Sequence, residues 1–203
     1  DLDVAPGEFI AITGPSGGGK TTLAKVMLGL FHPSAGEVLF DGVPADHIGP
    51  VTLRSQIGVV MQEDQLLTGS LAENITFFEA TPDTAHMRQC ATMAGIDAEI
   101  MAMPMNYNTL VGETGTGLSG GQKQRLLLAR APYRRPRILI MDEGTSHLDV
   151  AKEREVSQHI AALGITRITI AHRPETIAAA GRVLVLAGGR LIEAPAPTTL
   201  AAE

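Results

Sequence analysis

No stretch of this chain is apolar for long enough to cross a membrane as a helix, and no signal peptide opens it. Cysteine is almost absent. Cys90 stands alone, which excludes an internal disulfide framework and fits a reducing compartment. Its place in an amphipathic helical pattern predicts an inert, partly buried thiol. Positive charge is also short: 16 lysines and arginines face 22 acids, for a formal net charge of -6. That balance argues against nucleic acid as the main partner, because such partners are met by a basic face. Only Arg134, Arg135 and Arg137 cluster, around Pro136, where a solvated surface turn is expected. There is no internal repeat and no low-complexity tract; the Ala/Pro/Thr-rich tail from Ala194 is expected to fray.

What is present is enough apolar content, 44% of 203 residues, for one large or two small domains. The chain opens at Asp1 with LDVAPGEFIAIT, which reads as a strand, a Pro-Gly turn and a second strand. It is therefore expected to be a piece of a longer protein whose natural start lies upstream.

Apolar runs predict strands at Glu8–Thr13, Glu37–Phe40 (followed by an Asp41-Gly42 turn), Gln56–Met61, Arg137–Met141 and Thr166–Ala171. Val183–Leu186 and Arg190–Glu193 read as a hairpin across Gly188-Gly189. Helical spacing marks Lys20–Leu30, a helix from Pro82-Asp83 to Gly95, Asp97–Met103, a helix opened by LSGGQ, Val150–Leu163 and Pro174–Ala180. Met101, Met103 and Met105 form a soft apolar patch for core or partner packing. Buried-type strands alternating with helices imply an α/β fold with a mostly parallel sheet. The expected division is a core of residues 1–62 and 137–203, interrupted by a helical insertion at 63–136.

Gly14–Thr21, within GPSGGGKTT, fits the phosphate-binding loop G-x-x-x-x-G-K-S/T. Gly14, Ser16, Gly17, Gly18 and Gly19 let successive backbone N–H groups converge on phosphate, and the following helix adds its positive end. Lys20 neutralises the β- and γ-phosphates of ATP, Thr21 offers its hydroxyl to Mg²⁺, and Thr22 donates to the α-phosphate region. ILIMDE at Ile138–Glu143 is an apolar strand ending in two carboxylates. Asp142 suits the metal, and Glu143 can polarise water opposite the γ-phosphate. LSGGQ, with Ser119, Gly120, Gly121 and Gln122, is a second Gly-rich turn opening a helix. Two phosphate sites in one small domain are redundant unless the second serves another molecule's nucleotide.

LSGGQ together with the phosphate loop resembles the nucleotide-binding domain of ABC transporters, and the likeness spans nearly the whole chain. It implies an ABC-type ATPase core of the P-loop NTPase kind, carrying a helical subdomain. Gln62 resembles the Q-loop glutamine, which senses Mg²⁺ and γ-phosphate and faces the membrane domains. Ser146-His147-Leu148-Asp149 resembles the D-loop, which reaches the opposite site across a dimer. His172, in TIAHRPETI, resembles the switch histidine on the γ-phosphate. His147 stands where alanine is usual and is given no chemistry. LLTGSLAENI at Leu66–Ile75, and VGETGTGLSGGQ at Val111–Gln122 with Glu113 as the X-loop acid, resemble exporters rather than importers. Finer still, Tyr107–Ala131, DEGTSHLD and ITRITIAHRPETI look like bacteriocin exporters of the colicin V secretion type.

The resemblance implies a head-to-tail homodimer with ATP sandwiched between subunits, at the cytoplasmic face of a bacterial inner membrane. It further implies partner transmembrane domains and, for the parent protein, a peptidase domain cutting double-glycine leaders and a periplasmic adaptor with an outer-membrane channel. A non-transport ABC ATPase switching on DNA or ribosomes is the alternative; a nucleotide kinase would leave LSGGQ unexplained. Two departures from the family pattern stand out. Gly144 replaces the usual alanine and loosens the turn after Glu143. Pro132 costs roughly 3 kcal/mol unless the LSGGQ helix ends by Ala131. The family's adenine-stacking aromatic precedes the first strands and falls outside this sequence. Comparable ATP and GTP affinities are therefore expected in a competition titration; a strong preference for ATP would count against this.

Overall fold

The structure is a computed structural model that describes residues 1–112, 117–142, 144 and 149–194. Strand β1 (Phe9–Thr13) runs into the glycine loop, and helix α1 (Lys20–Met27) follows. Gly29 ends that helix with φ 64°, a left-handed conformation that halts it before Leu30. A small hairpin pairs β2 (Leu39–Phe40) with β3 (Val43–Pro44) around Asp41 and Gly42, both at positive φ. Two short helices, α2 (Ala45–Ile48) and α3 (Pro50–Ser55), precede β4 (Ile57–Val60). Strand β5 (Gly69–Ser70) enters α4 (Leu71–Thr76); α5 (Thr84–Met93) and α6 (Asp97–Met101) follow. After a 3-10 turn, β6 (Leu110–Val111) pairs antiparallel with β5. The long helix α7 (Gly120–Tyr133) leads to β7 (Ile138–Asp142), α8 (Val150–Ala161), β8 (Thr166–Ile170), α9 (Pro174–Ala178), β9 (Arg182–Ala187) and β10 (Arg190–Glu193).

The main sheet has the order β10-β9-β1-β8-β7-β4, parallel throughout except for β10, which turns back on β9. Alternation along the strands feeds two cores. Leu139 and Met141 of β7 face α4, α5, α7 and α8, whereas Ile140 faces α1 and α3 with Ile10, Ile12, Ile168 and Ile170. Both faces are thus covered, as expected of parallel strands rich in isoleucine and leucine. Among the described residues no helix is long and apolar enough to cross a membrane.

Several expectations are corrected. Leu2–Val4 forms no strand; Leu2 and Val4 instead pack onto the α1-side core. The methionine patch divides. Met103 packs on the core while Met101 and Met105 are exposed. Helix α6 ends at Met101, so Met103 and Met105 lie in the following turn, outside any common helix face. Helix α7 passes through Pro132 to Tyr133; the proline sits in the last turn. The arginine cluster is exposed, as expected of a surface turn, and its side chains also find partners: Arg135 with Asp83 and Arg137 with Asp41, each at 3.2 Å, and Arg134 over the Phe77 ring at 4.7 Å. The sequence reading passed over α4, although its capping box was legible as S-x-x-E. Glu73 N–H donates to Ser70 Oγ at 3.1 Å, and Ser70 N–H to Glu73 Oε2 at 2.7 Å. The tail from 195 onward lies outside the described residues.

Candidate functional site

Register brings the chemistry-bearing residues of the sheet to one edge. Ile12 of β1 pairs with Ile170 of β8, and Ile170 with Asp142 of β7, so three strands end level. Val60 pairs with Met141, which puts the end of β4 beside them. Gly14, Asp142, His172 and Gln62 therefore all sit at or just past the carboxyl ends of neighbouring parallel strands, where open α/β sheets bind ligands.

The glycine loop fills the centre of that edge. A Cβ on Gly14 would lie 2.3 Å from the Leu186 carbonyl oxygen of β9, so this position accepts no side chain. Gly17 and Gly19 hold φ of 74° and 92°, and Gly19 opens α1 with no side-chain cap. The first N–H groups of α1 are left for an outside acceptor. Ser16, Thr21 and Thr22 are exposed along the loop. Lys20 is only 7% exposed, and its ammonium donates to the carbonyls of Gly14 and Pro15, each at 2.9 Å. Those contacts use two of its three protons and fix the charge beneath the loop.

Thr21 Oγ1 donates to Asp142 Oδ2 at 2.7 Å across 121 residues of sequence. Asp142 is 2% exposed, a carboxylate at the end of a buried strand. A hydroxyl and a carboxylate suit a hard cation such as Mg²⁺. Among the described residues no group of three or more His, Cys, Asp or Glu could enclose a metal. An ion here would take its remaining ligands from phosphate and water, the usual habit of Mg²⁺. Gln62 is exposed two residues beyond β4, at the same edge. His172 is exposed just past β8, where Ala171 N–H donates to the Ile12 carbonyl at 3.0 Å. Gly144 is buried, and a Cβ there would sit 3.3 Å from that of Met141. Glu143, Glu113, Ser146, His147 and Leu148 lie outside the described residues.

LSGGQ is built elsewhere in the molecule. Ser119 caps α7 through a capping box: Gln122 N–H donates to Ser119 Oγ at 3.2 Å, and Ser119 N–H to Gln122 Oε1 at 2.9 Å. Ser119 and Gly120 are exposed. Sequence reading missed what holds this turn. Gln122 Nε2 donates to Glu99 Oε2 at 3.0 Å, and the buried Arg125 grips the Glu99 carboxylate, the Gly95 carbonyl and the Gly121 carbonyl. Arg125 is the main reason the Glu99 carboxyl is held below its ordinary range; Gln122 adds to the effect. Among the described residues no hydrogen bond or ion pair joins this turn to Gly14–Thr22. Asp149 caps α8 by accepting from Lys152 N–H at 2.8 Å.

Two concavities lie away from this edge. A groove of about 880 Å³ between α5, α8 and the end of α7 is lined by Cys90, Met93, Leu163 and Ile165; a smaller one of about 380 Å³ lies between α8 and α9. Neither includes the glycine loop, whose Pro15, Ser16 and Gly17 are exposed. Cys90 is 2% exposed, and burial pushes its thiol up to about 11. Little thiolate forms at neutral pH. Cys90 is therefore expected to resist an aromatic disulfide reagent at pH 8 in native buffer and to react on unfolding. Rapid native labelling would contradict this.

Residues 1–146 match the family model described as "ABC transporter". The chain is 50% identical over 184 residues to the probable microcin-H47 secretion/processing ATP-binding protein MchF of Escherichia coli, covering 91% of this chain and 26% of that protein. It is 51% identical over 183 residues to the colicin V secretion/processing ATP-binding protein CvaB of Escherichia coli, covering 90% and 26%. An ATP-dependent lipid A-core flippase of Burkholderia orbicola (strain AU 1054) is 45% identical over 192 residues, covering 94% and 32%. Among solved structures, a bacterial Atm1-family ABC exporter with ATP bound superposes with a TM-score of 0.89 at 38% identity, covering 94% of this chain and 34% of that one. The chain thus spans about a quarter of the length of the two secretion proteins.

Proposed function

Because the chain belongs to the ABC transporter family, as an ATPase domain of it, we propose that it powers export of a peptide by hydrolysing ATP between two copies of itself. The observation that carries this reading is the buried Asp142 on the Thr21 hydroxyl, beside the Lys20 ammonium under the glycine loop. Lys20, the free N–H groups of α1 and Thr22 hold the phosphates. Thr21, Asp142 and Gln62 would hold Mg²⁺, which would supply positive charge against the phosphates. Glu143 takes the proton of the attacking water, and His172 donates to the γ-phosphate as charge develops.

Ser119, Gly120, Gly121 and Gln122 of one copy cap the γ-phosphate held by the other, and Asp149 anchors the loop that reaches across. Support for a two-copy site comes from the exposed, independently braced LSGGQ turn and the exposed residues of the glycine loop. Residues 1–62 and 137–203 form the catalytic core; the helical subdomain 63–136 and Gln62 pass closure to transmembrane domains, at the cytoplasmic face of an inner membrane. A peptide cargo, a leader-cutting peptidase domain and an adaptor with an outer-membrane channel are inferred from the secretion proteins' names and the exporter-type stretches. The same names favour export over a switch acting on nucleic acid.

The test is ATP turnover per chain across concentrations that span the monomer–dimer transition fixed by sedimentation. Specific activity is expected to rise with dimer fraction. A constant specific activity across that transition would overturn the two-copy site.

A further inference from the structure

Helix α9 starts two residues after His172, yet none of its residues is buried. Ile177 packs on the small cluster of Phe9, Ala11, Ala180 and Val183, but a concavity of about 380 Å³ lies between the helix and α8. Among the described residues, the Glu153 carboxylate crosses that gap. Glu153 of α8 is 4% exposed and divides its two oxygens between residues that flank and follow His172. Glu153 Oε2 accepts from Arg173 Nη1 at 2.5 Å, and Glu153 Oε1 from Thr176 Oγ1 at 2.5 Å. Arg173 is the immediate neighbour of His172, and Thr176 lies in α9. On the other side of His172, Ala171 N–H is fixed to β1 through the Ile12 carbonyl. The histidine is therefore bracketed: β1 holds the residue before it, and α8 the residue after it.

Glu153 is also one helical turn from Asp149, whose carbonyl accepts the Glu153 N–H at 2.9 Å. Asp149 in turn caps α8 with its side chain. A displacement of the α8 N-terminus is passed through one rigid turn to the Glu153 carboxylate, and so to the peptide beside His172.

We propose that Glu153 is a positioning residue for His172, tying the segment that carries the histidine to the helix capped by Asp149. The idea rests on the reading of His172 as a γ-phosphate contact. Nothing in it requires Glu153 to touch nucleotide. A charged, buried, two-pronged acceptor holds direction as well as distance, which a single apolar contact cannot do. Misplacing a catalytic group by about 1 Å can cost on the order of 10²-fold in rate.

The experiment is a double-substitution cycle on ATP turnover by this chain, with Glu153→Gln, His172→Ala and the pair. Glu153→Gln is expected to lower kcat by about ten- to a hundredfold with KM changed by less than about twofold. In the His172→Ala background it is expected to lower kcat no further. Equal losses in both backgrounds, or an unchanged kcat, would overturn the proposal. Wild-type turnover by His172→Ala alone would instead remove the γ-phosphate assignment on which the proposal rests.

Proton NMR supplies a readout independent of turnover. The His172 imidazole resonance, identified by its loss in His172→Ala, is expected to move in Glu153→Gln, while those of His32 and His47 stay in place. An unmoved His172 resonance overturns the tie even where turnover is too slow to measure. If Glu153→Gln fails to fold, Thr176→Val serves with the same reading and a smaller loss, about threefold.

Discussion

Replacing Lys20 by methionine is expected to cut ATP turnover by about 10²- to 10³-fold, the range seen when one pre-set donor to a developing oxyanion is removed. The ammonium is not a mobile surface charge here. It is 7% exposed and pinned by the Gly14 and Pro15 carbonyls at 2.9 Å, so its position is set before any phosphate arrives. Methionine matches the length and volume of the stem but donates nothing. The fold should tolerate the change, because Pro15 is exposed and water can satisfy the released carbonyls. Thermal unfolding is accordingly expected to move by no more than a few degrees, about 1 kcal/mol for a chain of this size. Steady-state kinetics with a melting curve separates the two effects. Turnover within threefold of wild type would remove Lys20 from the phosphate site.

Glu143→Gln is expected to slow hydrolysis by about 10²- to 10⁴-fold, the usual contribution of a general base. It should do so without releasing nucleotide, since the amide keeps the shape of the carboxylate and leaves Lys20, Thr21 and Asp142 untouched. The neighbouring Asp142 already accepts from the Thr21 hydroxyl at 2.7 Å, so of the two adjacent acids Glu143 is the one proposed to take the proton of the water. With binding intact and the chemical step blocked, a MgATP-bound dimer should accumulate. Light scattering after addition of MgATP is the measurement, with reversal by a chelator as the control. Unimpaired hydrolysis would exclude Glu143 as the base.

Much of this site was legible because its parts are local strings. A glycine loop between a strand and a helix, or an apolar strand ending in two acids, requires only neighbouring residues of the right kind. Strands β1, β7, β8 and β9 were legible for a similar reason: short runs of isoleucine, leucine and valine suit a sheet buried on both faces. The failures have equally physical causes. Leu2–Val4 alternates like a strand, but the same alternation also serves a segment that only lays two side chains on a core. The S-x-x-E signature of α4 was present in the chain, but a helix of six residues carries too short an apolar period to stand out. Nothing local could announce that Arg134, Arg135 and Arg137 each find a partner between 50 and 100 residues away in sequence.

The sequence by itself determined the family and the candidate residues: a G-x-x-x-x-G-K-T loop, a strand-end acid, an LSGGQ turn, and the order that marks an ABC ATPase domain. Those features are set by residue type and short spacing, which the chain states directly. The tertiary structure decided how they are held. Strand order places Asp142 on Thr21 across 121 residues, and brings the Leu186 carbonyl so close to Gly14 that only glycine fits. Helix packing puts Glu99 and Arg125 behind Ser119, and Glu153 beside the residue that follows His172. Register and helix packing are properties of the whole sheet and its two cores, so no single segment could carry them.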